Sequence, residues 1–262
     1  MIAASRRSPV NPPEPLRAAA KHPKGWNTRR VGLRGGVRAD FASLFLANEA
    51  SLPAMDDADR RQIEDILHFW FGDLEHAEQV DKGKMKMWWA GGAAIDADIR
   101  QRFGATLARA LAGQLRDWSQ SPRGSLALVI LLDQFTRNVG RGTESAFAGD
   151  EAALAVCLDA MKRGFDRQLR LIERSFLYMP MMHAEHPDMA RRSLETFEAL
   201  SREIASFGHE HPDFRSHAAA HADIVRRFGR YPHRNEVLGR TPTPEETEFL
   251  ASGSPSFGQK KT

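Results

Sequence analysis

An all-helical fold is predicted by three features of the 262-residue chain. Apolar residues recur three and four positions apart in successive segments, the spacing that gives a helix one buried stripe. No segment of useful length alternates apolar and polar residues as a half-buried strand would. The periodic segments are also bounded by helix punctuation: proline at first positions, glycine at stops and one complete capping box.

The first helix starts after Asp56-Asp57, with Ile63, Ile66, Leu67, Trp70 and Phe71 on its inner stripe. Gly72 is expected to end it in the left-handed conformation. Residues 73–94 read as irregular, with Trp88-Trp89 anchoring that loop to the core. Ile95, Ile99, Phe103, Leu107 and Leu111 then recur every four residues up to a stop at Gly113. Ser121-Pro122 opens the next helix, because proline at the first helical position gives up no needed hydrogen bond. Its run Leu126–Leu132 is apolar all round, too short to span a bilayer, and predicts a central buried helix. It runs into the polar stretch Asp133–Asn138 without a turn signal. Further helices are expected at about 144–163, 168–183, 188–207 and 212–228. A last one is capped by Thr243-Pro-Glu-Glu246, in which Thr243 and Glu246 satisfy each other's free amides. Together these predict one domain of antiparallel helices over residues 55–262. No internal repeat of fixed period is evident.

The charge is unevenly placed. The chain carries 37 Lys and Arg against 34 Asp and Glu, a formal net charge of +3 and a pI near 9.2. Nine cations and three anions make residues 1–54 net +6, which leaves −3 for residues 55–262. No nucleic-acid partner is therefore expected for the body. Six of the fourteen prolines also fall in residues 1–54, so that segment is expected to be a basic, largely disordered extension. Its apolar run Phe41–Ala47 superficially resembles a targeting signal, but is only seven residues long and abuts Asp40. Met55 stands out as an alternative start. No membrane partner and a cytoplasmic location are expected. The single cysteine, Cys157, excludes an internal disulfide framework and sits on an inward stripe, as a core residue would.

Four polar clusters interrupt the apolar helices. In Asp133-Gln134-Phe135-Thr136-Arg137-Asn138, the pairs Asp133/Arg137 and Gln134/Asn138 each share a helix face. A structural ion pair and a site where the core opens explain this equally well. In Pro180-Met-Met-His183-Ala-Glu185-His186, proline is expected to interrupt a helix, and Glu185 could orient His183 for acid/base work. A buried histidine satisfied by a carboxylate is the competing explanation. His217 and His221, four apart, could face one metal ion, but no third ligand follows at a diagnostic spacing. The densest cluster, Arg226 to Arg240, sets five arginines and His233 against one acid, Glu236. Converging guanidinium groups suit a carboxylate or phosphate, while a basic surface turn or internal ion pairs would also account for them. No phosphate loop, dinucleotide fingerprint or nucleophile elbow is present.

In order along the chain, these segments resemble a known family. The motifs are Trp70-Phe71-Gly72, Leu131–Phe135 with Arg137-Asn138, Pro180 with His183 and Glu185, Phe228-Gly-Arg230, Pro232–Asn235, Leu238-Gly-Arg240 and Thr243–Glu246. Over about residues 60–258 they are similar to the bacterial family termed domain of unknown function nine-two-four. The resemblance implies a tetratricopeptide-like (TPR-like) array of antiparallel helical hairpins and no established activity. It places Asp133, Arg137, Asn138, His183, Glu185, His221, Arg230, Arg234, Asn235 and Arg240 at motif positions, whereas His217 matches none. It has no counterpart for residues 1–54.

The leading expectation is a soluble helical protein whose polar pocket binds a small anion or an acidic peptide end. Arg137, Arg230, Arg234 and Arg240 would clamp the anion, Asn138 and Asn235 would orient it, and Asp133 and His221 would complete the pocket. An enzyme using His183 and Glu185 for acid/base chemistry on that anion is the second expectation, and an interaction scaffold the third. Neither a cofactor nor a metal is expected, and the sequence sets no oligomeric state.

Overall fold

A computed structural model describes residues 55–208 and 211–253. The expected extension, residues 1–54, and its apolar run lie outside the described residues. Among those described, every regular element is helical.

Helix α1 (Asp57–Phe71) starts where Asp56 accepts the Asp59 amide at 2.7 Å. It buries the predicted stripe together with Phe69. Gly72 closes it at φ 74° and ψ −160°, a region open to glycine alone and distinct from the left-handed helical one. The Asp81 carboxylate occupies the space a β-carbon at Gly72 would need.

That carboxylate also caps α2 (Lys82–Ala90), accepting the Gly83 amide at 2.8 Å, inside the segment expected to be irregular. The sequence Lys-Gly-Lys-Met-Lys-Met-Trp-Trp has no apolar stripe to reveal this helix. It is held instead by single contacts: Trp88 Nε1 donates to the Trp70 carbonyl and Lys84 Nζ to the Phe69 carbonyl. Helix α3 spans Ala93–Leu111.

Helix α4 (Pro122–Val129) has Ser121 as its cap and proline at its first position, as predicted. The chain then passes through a π-helical stretch, Ile130–Phe135, into the short α5 (Thr136–Val139). Leu126 through Leu132, with Phe135, are wholly buried. Helix α4 packs against α1, against α6 (Asp150–Lys162) and against α7 (Leu171–His183). Gly149 allows the start of α6 to approach this central helix, since a β-carbon there would collide with the Leu132 carbonyl.

Pro180 does not interrupt α7, which continues three residues beyond it. Helices α8 (Pro187–Ala205) and α9 (Phe214–Phe228) follow, each packed on its predecessor. A short 3-10 turn, Pro232–Arg234, leads to α10 (Pro244–Ala251), which carries the predicted capping box. Around α1, α2, α3, the π segment and α7 the core is built on aromatic rings. Phe69, Trp70, Phe71, Trp88, Phe103, Phe135 and Phe176 meet edge to face at centroid separations of 4.8 to 6.2 Å. Such pairs add about 0.5–1.5 kcal/mol each beyond the area they bury. Cys157 is a buried core residue whose thiol pKa is raised by burial. Among the described residues no helix is long and apolar enough to cross a membrane.

Candidate functional site

The aromatic core opens on one side into a cavity of about 480 Å³. Trp88, Trp89, Phe147, Phe176, Phe214, Met179 and Met182 form its apolar wall. The polar wall holds Gln134, Arg137, Asn138, Arg141, His183, His217, His221, His233 and Arg234. Six stretches of sequence meet here: the end of α1, α2 with the start of α3, the π segment with α5, Phe147, the second half of α7, and α9 with the following turn.

The π-helical turn is what places Asp133. Widening a helix by one residue per turn redirects its side chains, and such bulges concentrate at functional sites. Asp133 is completely buried, and its two oxygens lie 2.7 and 3.0 Å from Nδ1 of His183 at the end of α7. Gln134 donates to the same carboxylate, and Arg137 Nη1 lies 3.0 Å from it. Burial alone would raise the Asp133 pKa, but Arg137 and His183 outweigh it and hold the carboxyl well below its ordinary range. A carboxylate facing Nδ1 keeps the proton on that nitrogen. Nε2 of His183 then carries the lone pair, and among the described residues it has no protein partner. Burial lowers the His183 pKa, Arg137 adds to that and Asp133 opposes it, leaving the ring neutral near pH 7.

Asp150, the first residue of α6, joins two arginines that are distant in sequence. Its oxygens lie 2.9 Å from Arg137 Nη1 and 3.1 Å from Arg234 Nη1. Arg234 is 94% buried, between the rings of Phe147 and Tyr231 at 4.5 Å from each, and its Nη2 donates to the His183 carbonyl at 3.1 Å. Two buried donors in this cluster find no acceptor among the described residues, Arg137 Nη2 and Arg234 Nε. Both arginines line the cavity.

The remaining polar groups frame this centre. Asn138 donates to Asp96 at 2.8 Å, and Arg141 grips the same carboxylate through Nε and Nη2, which ties α3 to the rim. His221 lies 5.7 Å from His183, ring to ring, and its Nδ1 donates to the His217 carbonyl. Burial above all lowers His221 to about 2 and His233 to about 3, so both stay neutral. His217 stacks on Trp89 at 4.7 Å. Among the described residues no group of three or more His, Cys, Asp or Glu is placed to hold a metal ion.

The ten residues singled out in the sequence divide into two sets. Arg137, Asn138, His183, His221 and Arg234 line the cavity, with Asp133 directly behind His183. Glu185, Arg230, Asn235 and Arg240 do not line it. The carboxylate on His183 is Asp133 and not Glu185, which instead receives both Nη1 and Nη2 of Arg240, at 2.6 and 3.1 Å, and the Tyr231 amide. Arg230 grips Glu246 through Nε and Nη2, at 2.6 and 2.7 Å, and Asn235 donates to that carboxylate as well.

Sequence reasoning missed Asp150, the aromatic wall and the inward placement of His233, and it gave Gln134 a place in its cluster but no role. Asp150 sits in a first helical turn, where an acid is favoured by the helix dipole, so nothing local marked it as a bridge.

The family described as "Bacterial protein of unknown function (DUF924)" matches residues 66–254. The chain belongs to that family. The solved structure of the protein of unknown function ATU0120 from Agrobacterium tumefaciens is 34% identical and superimposes with a TM-score of 0.64. That similarity covers 74% of this chain and 99% of the Agrobacterium one. No curated protein matches the chain.

Proposed function

We propose that this DUF924 chain binds a small molecule with an apolar, aromatic-sized body and an anionic end. One observation carries the reading: among the described residues the cavity lining includes three arginines, Arg137, Arg141 and Arg234, and no carboxylate. The acids that balance them, Asp133, Asp150 and Asp96, stand behind the lining. His183, His221 and His233 stay neutral, so the arginines supply the positive charge of the lining. A ligand entering the cavity therefore meets the positive side of each pair. It also meets Arg137 and Arg234, each with an N–H still lacking an acceptor. A carboxylate or phosphate seated against these guanidinium groups would gain about 1.5–3 kcal/mol per charge-assisted bond.

The apolar lining suits a ring or another flat apolar body, because Trp88, Phe176 and Phe214 are part of it, with Phe147 stacked on Arg234. A volume of about 480 Å³ is in the range of small-molecule pockets, which favours a metabolite over a peptide end. Arg230 and Arg240 leave the clamp in this reading, and Arg137 and Arg234 form it.

Titration calorimetry with benzoate, phenylphosphate and benzamide tests the reading. The two anions should bind, in an order that distinguishes carboxylate from phosphate, and neutral benzamide should not. Benzamide binding as tightly as the anions would overturn it, as would silence from all three.

A further inference from the structure

The anion clamp does not explain why a histidine is built against a wholly buried aspartate at its edge. Asp133 and His183 come from different helices, the π segment after α4 and α7 respectively, and their contact is the shortest between charged or titratable groups on the cavity's inner wall. A histidine needed only for packing has no use for a buried carboxylate, which is costly to bury. Held by Asp133 through Nδ1, the His183 ring presents an unprotonated Nε2 on a wall that faces the cavity. Beside it stand the Arg137 and Arg234 donors. A fixed base next to preorganised positive donors is the arrangement that removes a proton and stabilises the negative charge left behind.

The lining narrows the chemistry. It contains no serine, threonine, cysteine, lysine or tyrosine, so among the described residues no hydroxyl, thiol or amine is offered for a covalent intermediate. Two lining guanidinium groups, Arg137 and Arg234, match two groups of a ligand: one a carboxylate, the other a neighbouring carbonyl on which charge develops. We propose that His183 is a general base, positioned by Asp133, that removes a proton from the carbon next to the ketone of a 2-oxo acid with an apolar or aromatic side chain. The C–H bond breaks and its proton passes to Nε2, giving an imidazolium held by Asp133. The electron pair forms the enolate double bond, and the charge moves to the carbonyl oxygen facing an arginine. Return of a proton from Nε2 to carbon completes an exchange or a tautomerisation that needs no oxidant, reductant or further reactant. The proposal rests on the anion-binding reading for its substrate end.

Phenylpyruvate and 2-oxobutyrate are the probes. The full chain is incubated with each in D2O, deuterium at C3 is followed by proton NMR against a protein-free blank, and binding is measured in parallel by saturation transfer. Exchange at least tenfold above the blank is expected with phenylpyruvate, and it should vanish in His183→Gln. Asp133→Asn should lower it by about 10- to 100-fold, a loss within the range general-base catalysis supplies. Nitrogen-15 spectra of the unliganded protein give an independent readout: His183 should be neutral and protonated on Nδ1 at pH 7, and Asp133→Asn should shift that tautomer. The rate should rise with pH through a pKa below the usual histidine value and then level off. Burial, Asp133 and Arg137 on the π segment and α5, and Asp150 on α6 set this pKa, and the other titratable or charged groups around the ring are His221 on α9 and His233 and Arg234 on the turn.

A probe that binds without accelerated exchange would overturn the base and leave the anion-binding reading standing. Failure of both probes to bind would overturn both. Exchange that survives in His183→Gln, or a His183 proton found on Nε2, would also overturn the base, even if Asp133→Asn fails to fold.

Discussion

Arg234 and Arg240 lie six residues apart in one arginine-rich segment, yet their surroundings differ in kind. Arg240 has Nη1 and Nη2 on Glu185, and Nη2 reaches the Tyr231 carbonyl as well. Arg230, beside it, is gripped the same way by Glu246. These outer pairs hold the segment after α9 and the start of α10 against the end of α7. Arg234 and Arg137, on the inner side, share Asp150 and each keep an unpaired N–H at a cavity without a lining carboxylate. The contrast teaches that counting arginines says little. Among the described residues Arg240 also keeps a buried Nε without an acceptor, so what separates a strut from a clamp is whether the guanidinium lines the cavity and its balancing acid stands behind it.

The largest expected effect breaks the inner side at its anchor. Asp133→Ala removes the acceptor shared by His183, Gln134 and Arg137, leaving Arg137 buried with less compensation. Losing one partner of such a pair costs about 3–5 kcal/mol, a drop in Tm on the order of 10 °C. Thermal unfolding by circular dichroism reads it. A loss under about 1 kcal/mol would mean that Asp133 is not the anchor.

On the outer side, Arg230→Met and Arg240→Met should each cost about 1.5–3 kcal/mol of stability through lost charge-assisted hydrogen bonds. Neither should change benzoate affinity by more than about twofold, since neither residue lines the cavity. A tenfold affinity loss in either would erase the distinction between strut and clamp. Arg137→Lys sharpens it from the inner side. Lysine keeps the charge but not the planar pair of N–H groups. Affinity for benzoate should fall about tenfold while Tm moves by only a few degrees, and an unchanged Kd would place the anion elsewhere.

How far the sequence could show this contrast depends on the range of the forces involved. The helical class and most boundaries follow from local rules, as with Ser121-Pro122 opening α4 and the Thr243/Glu246 box opening α10. Helix α2 escaped because its sequence has no apolar stripe, and α7 passed through Pro180 because the proline falls in its final turn. The polar clusters at 133–138, 180–186 and 226–240 were legible as clusters. Their pairing was not, because Asp133 meets His183 across 50 residues and Asp150 meets Arg234 across 84. The nearby acid, Glu185, looked like the natural partner of His183. Helix geometry gives no preference to a residue two positions away, and the π turn delivered a distant acid instead.

The most graded effect concerns pH. His221 and His233 are buried on the inner side with pKa values of about 2 and 3, against about 6.5 unfolded. Between those limits the unfolded chain binds a proton at each site that the folded protein does not, so stability must fall as pH falls below about 6.5. Each histidine contributes a slope of at most about 1.4 kcal/mol per pH unit there. Asp133 and Glu246, whose pKa values are lowered, add their own loss only below the ordinary carboxylate range, near pH 4. Urea unfolding at pH 7, 6 and 5 isolates the histidine window. His233→Gln should flatten the decline, because a neutral amide removes one titrating site, whereas Arg230→Met should leave its slope unchanged. An equal flattening by both would assign the pH response to the outer struts, and the division between the two arginine sets would lose its electrostatic basis.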